Sequence, residues 1–250
     1  MADMTAPETN YRIFKFCELG STNDQAKTLV NAGFCDGTAI IADHQTAGRG
    51  RSGRSWQNLE GNLACSFIVS PHVAVPRLSE LSFVIAVALR KCIAGVLPEP
   101  HVAKLKWPND LLIGDAKLSG ILLEVATGPV SERPSVIVGV GVNVAAAPDG
   151  IDRPVVSLQS LGCDIDAAAL FSTLAEGFFK TTARWETAGL KPILADWLDH
   201  AAGLGEEIVV RAGKTERTGI FEALDDSGAL ILRLADGGVE KFTAGDVFLS

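Results

Sequence analysis

From Gly203 onward the chain is written in short alternating runs, EEIVVRA, RTGIFEAL, ALILRLA, VEKF and DVFL, cut by AGK, DDSG and ADGG. A period of two makes strands, and turn residues at that spacing make tight antiparallel connections, so this stretch reads as a small all-β barrel or sandwich. A boundary falls near residue 202. Upstream the texture is mixed. Tyr11 to Cys17, Thr38 to His44, Leu63 to Val69 and Val136 to Val144 read as strands, and the first ten residues as a frayed tail. STND at 21–24 opens a helix that Gly33 closes, and apolar residues at helical spacing predict helices over Leu78–Val96, Ile165–Trp185 and about Leu190–Leu198. The stretch KLKWPNDLLIGDAKLSGILLE reads as two strands joined by a tight turn at Gly114-Asp115. Ala145 to Gly162, rich in Pro, Gly and Asp, is a loop, and no internal repeat is visible.

With 250 residues and 47% hydrophobic content, the chain has enough apolar material for one large or two small cored domains. A net charge of −8 argues against a non-specific polyanion binder and leaves room only for a local cationic site. Five scattered cysteines, Cys17, Cys35, Cys65, Cys92 and Cys163, include no C-x-x-C pair, so neither a disulfide framework nor a zinc site is expected. A reducing cytoplasm fits that pattern. The N-terminus lacks an apolar signal region, and the run Phe83–Leu89 is stopped by Arg90-Lys91, so no membrane span is expected.

The chemistry concentrates in four places. GRGRSGR, residues 48–54, sets Arg49, Arg51 and Arg54 among Gly48, Gly50 and Gly53. Glycines let backbone N–H groups approach an anion, and guanidinium groups bind carboxylate or phosphate in pairs of hydrogen bonds. The run does not match the Walker pattern, and a solvated basic turn is its bland alternative. Ser21-Thr22-Asn23 can either hydrogen-bond a small polar ligand at a helix start or simply cap the helix. Closing the hairpin at Gly114-Asp115 sets Asp110 opposite Ser119 and Asn109 opposite Gly120, with Lys117 beside the turn. Lys106 and Lys117 there are either neutralisers of developing charge or solvated strand residues. In VIVGVGVNV, Gly139, Gly141 and Asn143 share one face, a gap that suits a flat ligand or an element packed close.

ELGSTND, ADHQTAGRGRSGRSW, KWPNDLL with KLSGILLE, and VGVGVN occur in the order and spacing of the biotin protein ligases, which the sequence resembles from about residue 11 to 250. The resemblance implies an α+β fold: a mixed-sheet catalytic domain over 11–202 and a C-terminal SH3-like barrel over 203–250. It implies activation of biotin by ATP to biotinyl-5'-adenylate, then transfer to a lysine of a biotin carboxyl carrier domain, that of acetyl-CoA carboxylase or of another biotin-dependent carboxylase. Matched motif by motif, Ser21, Thr22, Asn23, Gln45, Gly48, Arg49, Lys117 and Gly120 would hold biotin. Arg51, Arg54, Trp56, Lys106, Asn109 and Asn143 would surround the nucleotide, and Lys117, Arg49 and Arg51 would serve the chemical step. Magnesium would accompany ATP, with no protein ligand identified. Two copies could pair as a homodimer. Members that also repress transcription carry an N-terminal helix-turn-helix domain; only ten residues precede the first strand here, so no nucleic-acid binding is expected. The loop from Ala145 to Val156 has no aromatic residue to stack on adenine. Rival readings are a lipoate or octanoate ligase or transferase of the same fold, whose arginine-glycine signature is absent, and a non-catalytic biotin sensor, which would not need the cationic set.

Overall fold

The computed structural model describes residues 11–129 and 133–249; the expected tail over 1–10 lies outside these. Seven strands form one sheet: β1 (Arg12–Leu19), β2 (Thr38–Gln45), β3 (Leu63–Val69), β4 (Ala103–Lys106), β5 (Asp110–Ile113), β6 (Ala116–Ala126) and β7 (Ser135–Val142). Their order is β1-β2-β3-β7-β6-β5-β4, with β1 and β2 parallel and every other neighbour antiparallel. The sheet is therefore mixed.

Helix α1 (Thr22–Asn31) covers one face, where Ala26, Leu29 and Val30 meet Ile40, Ile68 and Ile137. Helices α2 (Leu81–Ala94) and α3 (Ala167–Ala188) belong to the larger cluster on the opposite face. Cover on both faces explains why all seven residues of β3 are buried, although its sequence does not alternate. α2 is shorter than its periodicity suggests: Val75–Glu80 forms a 3₁₀ turn, and Gly95 ends the helix before Pro98 is reached. α3 starts where Asp166 accepts a hydrogen bond from the Ala169 N–H at 2.7 Å, and α4 (Lys191–Leu198) follows.

Two expectations need correction around the hairpin. KLKWPNDLLI is two strands, because Trp107, Pro108 and Asn109 form a turn between β4 and β5, Pro having no N–H to offer a ladder. The second hairpin turns at Gly114-Asp115 as predicted, but a bulge between Leu111 and Leu112 moves the register, so Asp110 faces Gly120 and Leu111 faces Ser119. The extra residue on β6 is Leu118, fully buried in the core.

The C-terminal strands β8 (Glu207–Ala212), β9 (Thr215–Leu224), β10 (Leu230–Arg233), β11 (Val239–Phe242) and β12 (Asp246–Leu249) form an antiparallel sheet ordered β11-β10-β9-β8-β12. It packs directly on the first unit. Trp197 of α4 lies edge-on to Phe83 of α2 at 5.8 Å and to Phe221 of β9 at 6.5 Å. Trp107 Nε1 donates to the Gly228 carbonyl at 3.1 Å. Gly228 has φ +83, and a Cβ there would strike Phe83, so the DDSG turn seats on α2 only as glycine. This packing presents β12 to the edge of the cavity described next.

Candidate functional site

A cavity of about 550 Å³ opens between the start of α1, the 48–54 loop, the β5–β6 hairpin, β7 and β12. Ser21, Thr22, Asn23, Gln45, Arg49, Arg51, Arg54, Trp56, Lys106, Asn109, Lys117 and Gly120 all line it. Gly48 and Asn143 lie outside that lining.

At one end Ser21 occupies the helix N-cap position, yet its hydroxyl makes no capping bond. The helix start is satisfied from another element. Gln45 Oε1, at the end of β2, accepts from the Thr22 N–H at 2.8 Å and lies 3.1 Å from Thr22 Oγ1. Ser21 is left to face the cavity. A Cβ on Gly48 would strike both the Gln45 amide and the Trp56 carbonyl, so this glycine is what lets the loop close over Gln45. Asn23 is buried with both polar atoms engaged, Nδ2 donating to Glu124 Oε2 at 2.7 Å and Oδ1 accepting from Ser66 Oγ at 2.6 Å.

The arginine loop is a small closed turn in which Arg49, Ser52, Gly53, Arg54 and Ser55 are exposed. Arg49 pairs with Ser55, the Gly50 N–H donates to the Arg54 carbonyl at 2.7 Å, and Ser52 takes a left-handed φ of 56°. Its guanidinium groups face different partners. Arg49 donates to both oxygens of Asp24, at 2.7 and 2.6 Å, and this bond holds the Asp24 carboxyl below its usual range. Arg51 is half-buried and reaches Asn109 Oδ1 at 3.3 Å and the Gly245 carbonyl at 3.4 Å; burial pulls its pKa down. Arg54 donates to Asp246 Oδ1 at 2.8 Å. Two of the three arginines are thus held by the C-terminal sheet, a contact that nothing in the local sequence signals.

Lys117 sits at the centre, only 8% exposed. Its Nζ donates to Asp110 Oδ1 at 2.5 Å and lies 5.6 Å from the centre of the Trp56 ring. Burial pushes its pKa down, and Asp110 opposes that shift. Arg153 Nη1 donates to the other Asp110 oxygen at 3.3 Å. Burial likewise lowers the pKa of Lys106, whose Nζ is 5.9 Å from the centre of the Phe248 ring. Neither lysine is a plain solvated strand residue.

The face of β7 without side chains is filled from within the chain. Asn23 stands over Gly139 and the Trp56 indole over Gly141, where a Cβ would collide with each. Gly120 is equally confined, its Cβ position lying 3.1 Å from Lys117 Nζ. Just past β7, Asn143 donates to the Val156 carbonyl at 3.1 Å, while its buried Oδ1 and Trp56 Nε1 have no hydrogen-bond partner. Trp56 belongs to the lining of the cavity, whereas Asn143 lies outside it. Three carboxylates belong to the lining: Asp110 is tied to Lys117 and Arg153, Asp246 to Arg54, and Asp152 stands on the loop beside Arg153. Among the described residues no three metal-ligating side chains cluster.

Ser66, Glu124, Arg153, Asp246 and Phe248 were not singled out from the sequence. Glu124 had a readable signal, since a period of two places it on the face of Gly120. The others sit in the site through contacts across the fold.

Residues 16–143 match the biotin/lipoate A/B protein ligase family, and residues 203–250 match the biotin protein ligase C-terminal domain. The chain is 39% identical over 91% of its length to the biotin--[acetyl-CoA-carboxylase] ligase of Paracoccus denitrificans, covering 96% of that protein. It is 34% identical to the Bacillus subtilis bifunctional ligase/repressor BirA over 92% of this chain and 72% of the other. The fold superposes on a biotin protein ligase from Aquifex aeolicus solved in complex with biotin and ATP, with a TM-score of 0.83, 26% identity and coverage of 96% and 99% of the two chains.

Proposed function

Because the chain belongs to the biotin/lipoate A/B protein ligase family, we propose that the cavity around Lys117 is where it joins biotin to ATP and then to a protein lysine. The protein is an ATP-dependent ligase that activates biotin as biotinyl-5'-adenylate and transfers biotin to a lysine of a biotin carboxyl carrier protein. The observation that carries the assignment of residues is Lys117, an ammonium buried in a cavity that also collects Arg51, Arg54 and Lys106.

The first step sets one anion against another: the biotin carboxylate attacks the α-phosphorus of ATP, and pyrophosphate leaves. Cations fixed where negative charge accumulates lower that barrier without reorganising. In this reading Ser21, Thr22 and Gln45 hold the ureido ring, the valeryl chain runs under Trp56, and Lys117 meets the carboxylate and the α-phosphate. Arg51, Arg54 and Lys106 face the phosphates, with Asn109 orienting Arg51. Trp56 Nε1 supplies an unpaired donor on the lining that a nucleotide would take up, and Asn143, outside the lining, keeps its bond to Val156. In the second step a carrier lysine, as the free amine, attacks the acyl carbonyl; the C–O bond to AMP breaks and the amide nitrogen loses a proton. Magnesium bound together with ATP would supply further neutralisation of phosphate charge, and among the described residues no cluster of three metal-ligating side chains would hold it.

β5 stops opposite Gly120, so the outer edge of β6 from Leu122 to Ala126 has no strand partner among the described residues. That edge begins beside the cavity and suits a strand added by the carrier, or by a second copy of this chain as a homodimer. Among the described residues no helix is long and apolar enough to cross a membrane. Five unpaired cysteines support a cytoplasmic location, and the net charge of −8 supports the absence of nucleic-acid binding.

The decisive assay offers biotin, lipoate and octanoate separately with ATP and identifies acyl-adenylates by mass spectrometry. Biotin alone should be activated, because an alkyl chain leaves Ser21, Thr22 and Gln45 unpaired, a mismatch that discriminates by about 10⁴-fold. Comparable turnover of octanoate overturns the assignment.

The Lys117–Asp110 pair predicts a pH effect. Lys117 acts as the cation, its folded pKa is already depressed by burial, and Asp110 is the partner that raises it. Asp110→Asn removes that partner and leaves Arg153 and Arg54, which depress the pKa further. The alkaline limb of the single-turnover adenylation profile should therefore move to lower pH. A limb unmoved from wild type separates Lys117 from the chemical step.

A further inference from the structure

Behind the head end of the cavity the polar side chains form a continuous file. Glu124 Oε2 accepts from Asn23 Nδ2 at 2.7 Å, Asn23 Oδ1 accepts from Ser66 Oγ at 2.6 Å, and Ser66 Oγ lies 2.8 Å from Thr22 Oγ1. Ser66, Asn23 and Thr22 are all buried, and Ser66 is fully inaccessible. Glu124 is also held by Lys27 Nζ at 2.6 Å, with Arg49 Nη2 at 3.7 Å. Burial works against its charge, but the bonds from Lys27 and Asn23 outweigh it and keep the carboxyl below its usual range.

The donor and acceptor roles along this file follow from the charge at its end. A carboxylate only accepts, so Asn23 must turn its NH₂ toward Glu124 and its carbonyl oxygen toward Ser66. That oxygen only accepts, so the single Ser66 proton is committed to it. Ser66 Oγ is then an acceptor toward Thr22, and the single Thr22 proton is committed to Ser66, leaving Gln45 Oε1 to the Thr22 N–H. Both Thr22 Oγ1 lone pairs remain free to accept from the cavity. Were Glu124 neutral, Asn23 could turn over, Ser66 could donate to Thr22, and one of those lone pairs would be occupied.

We propose that Glu124 is a positioning residue whose negative charge, relayed through Asn23 and Ser66, makes the Thr22 hydroxyl a hydrogen-bond acceptor toward the cavity. A ligand head with an N–H at that point is favoured, as a cyclic urea has. Gln45 complements it, since its Oε1 is held by Thr22 and its Nε2 lies toward Gly48 as a donor for a carbonyl oxygen. The inference rests on placing the biotin head against Thr22 and Gln45.

The test is a double-mutant cycle on full-length protein, read as the Kd for biotin and separately for ATP by calorimetry. Thr22→Val deletes the hydroxyl and keeps the N–H that Gln45 binds. Glu124→Gln removes the charge at constant shape. Ser66→Ala cuts the relay without touching any charge and stands in should the Glu124 variant misfold. Glu124→Gln and Ser66→Ala should each weaken biotin binding about tenfold and leave ATP binding unchanged. In the Thr22→Val background neither should weaken it further. Losses that add to that of Thr22→Val, equal losses for ATP, or wild-type biotin affinity in both variants would overturn the relay. If Thr22→Val itself binds biotin as wild type does, the placement of the head group fails instead, and the relay with it.

Discussion

Lys117→Ala is expected to slow single-turnover formation of biotinyl-adenylate on the order of 10²-fold, about 3 kcal/mol of transition-state stabilisation, with little change in ATP affinity. The ammonium is held by Asp110 and walled by Trp56 and Gly120, so it is fixed before substrates arrive. Its advantage is greatest when the carboxylate and α-phosphate oxygens converge, and smaller when either anion is bound alone. Removing it does not strand its partner, because Asp110 keeps Arg153 at 3.3 Å. Lys117→Met, which preserves the packed stem against Trp56, should show the same loss if charge is the cause. Adenylate formation at the wild-type rate in either variant would remove Lys117 from the reaction.

Arg51→Gly is expected to release biotinyl-adenylate on the order of 10 to 100 times faster than wild type while impairing its synthesis less. Arg51 lies mid-loop, and its guanidinium bridges Asn109 of the β4–β5 turn and the Gly245 carbonyl beside β12. Loss of the side chain removes a charge-assisted hydrogen bond to the phosphate of the intermediate, about 1.5–3 kcal/mol, and unties the loop from both flanking elements. The intermediate is a mixed anhydride that must be kept from water until the carrier lysine arrives. Escaped adenylate would acylate lysines on bystander proteins. Dissociation of labelled adenylate, together with labelling of an unrelated added protein, reads both consequences. Values equal to wild type in both would mean that the loop closes by other residues.

Much of this site was legible because its signals are local. Ser21, Thr22, Gln45, the arginine loop, Lys117 and Gly120 lie in short motifs whose glycines and charges are unusual side by side, and twelve residues taken from those motifs line one cavity. The file behind it was not legible. Ser66 is a small polar residue in an apolar strand, and Asn23 joins Glu124 across 101 residues. No local pattern states which distant carboxylate an asparagine will meet.

Periods of 2 and 3.6 written in neighbouring residues marked most strands and helices, though not the turn at 107–109 or the start of α2, and the motifs carried the residue types of the cation cluster. Tertiary structure alone decided register and partnership. The bulge at Leu118 shifts Asp110 opposite Gly120 because burying that leucine in the core outweighs keeping a regular ladder. Arg54 finds Asp246 across 192 residues only because Trp197, Phe83 and Phe221 pack the C-terminal sheet against α2 and α4. Periodicity is a property of adjacent residues, whereas the partner of a charge or an amide depends on which surfaces the apolar core brings together, and that is fixed only when the whole chain is folded.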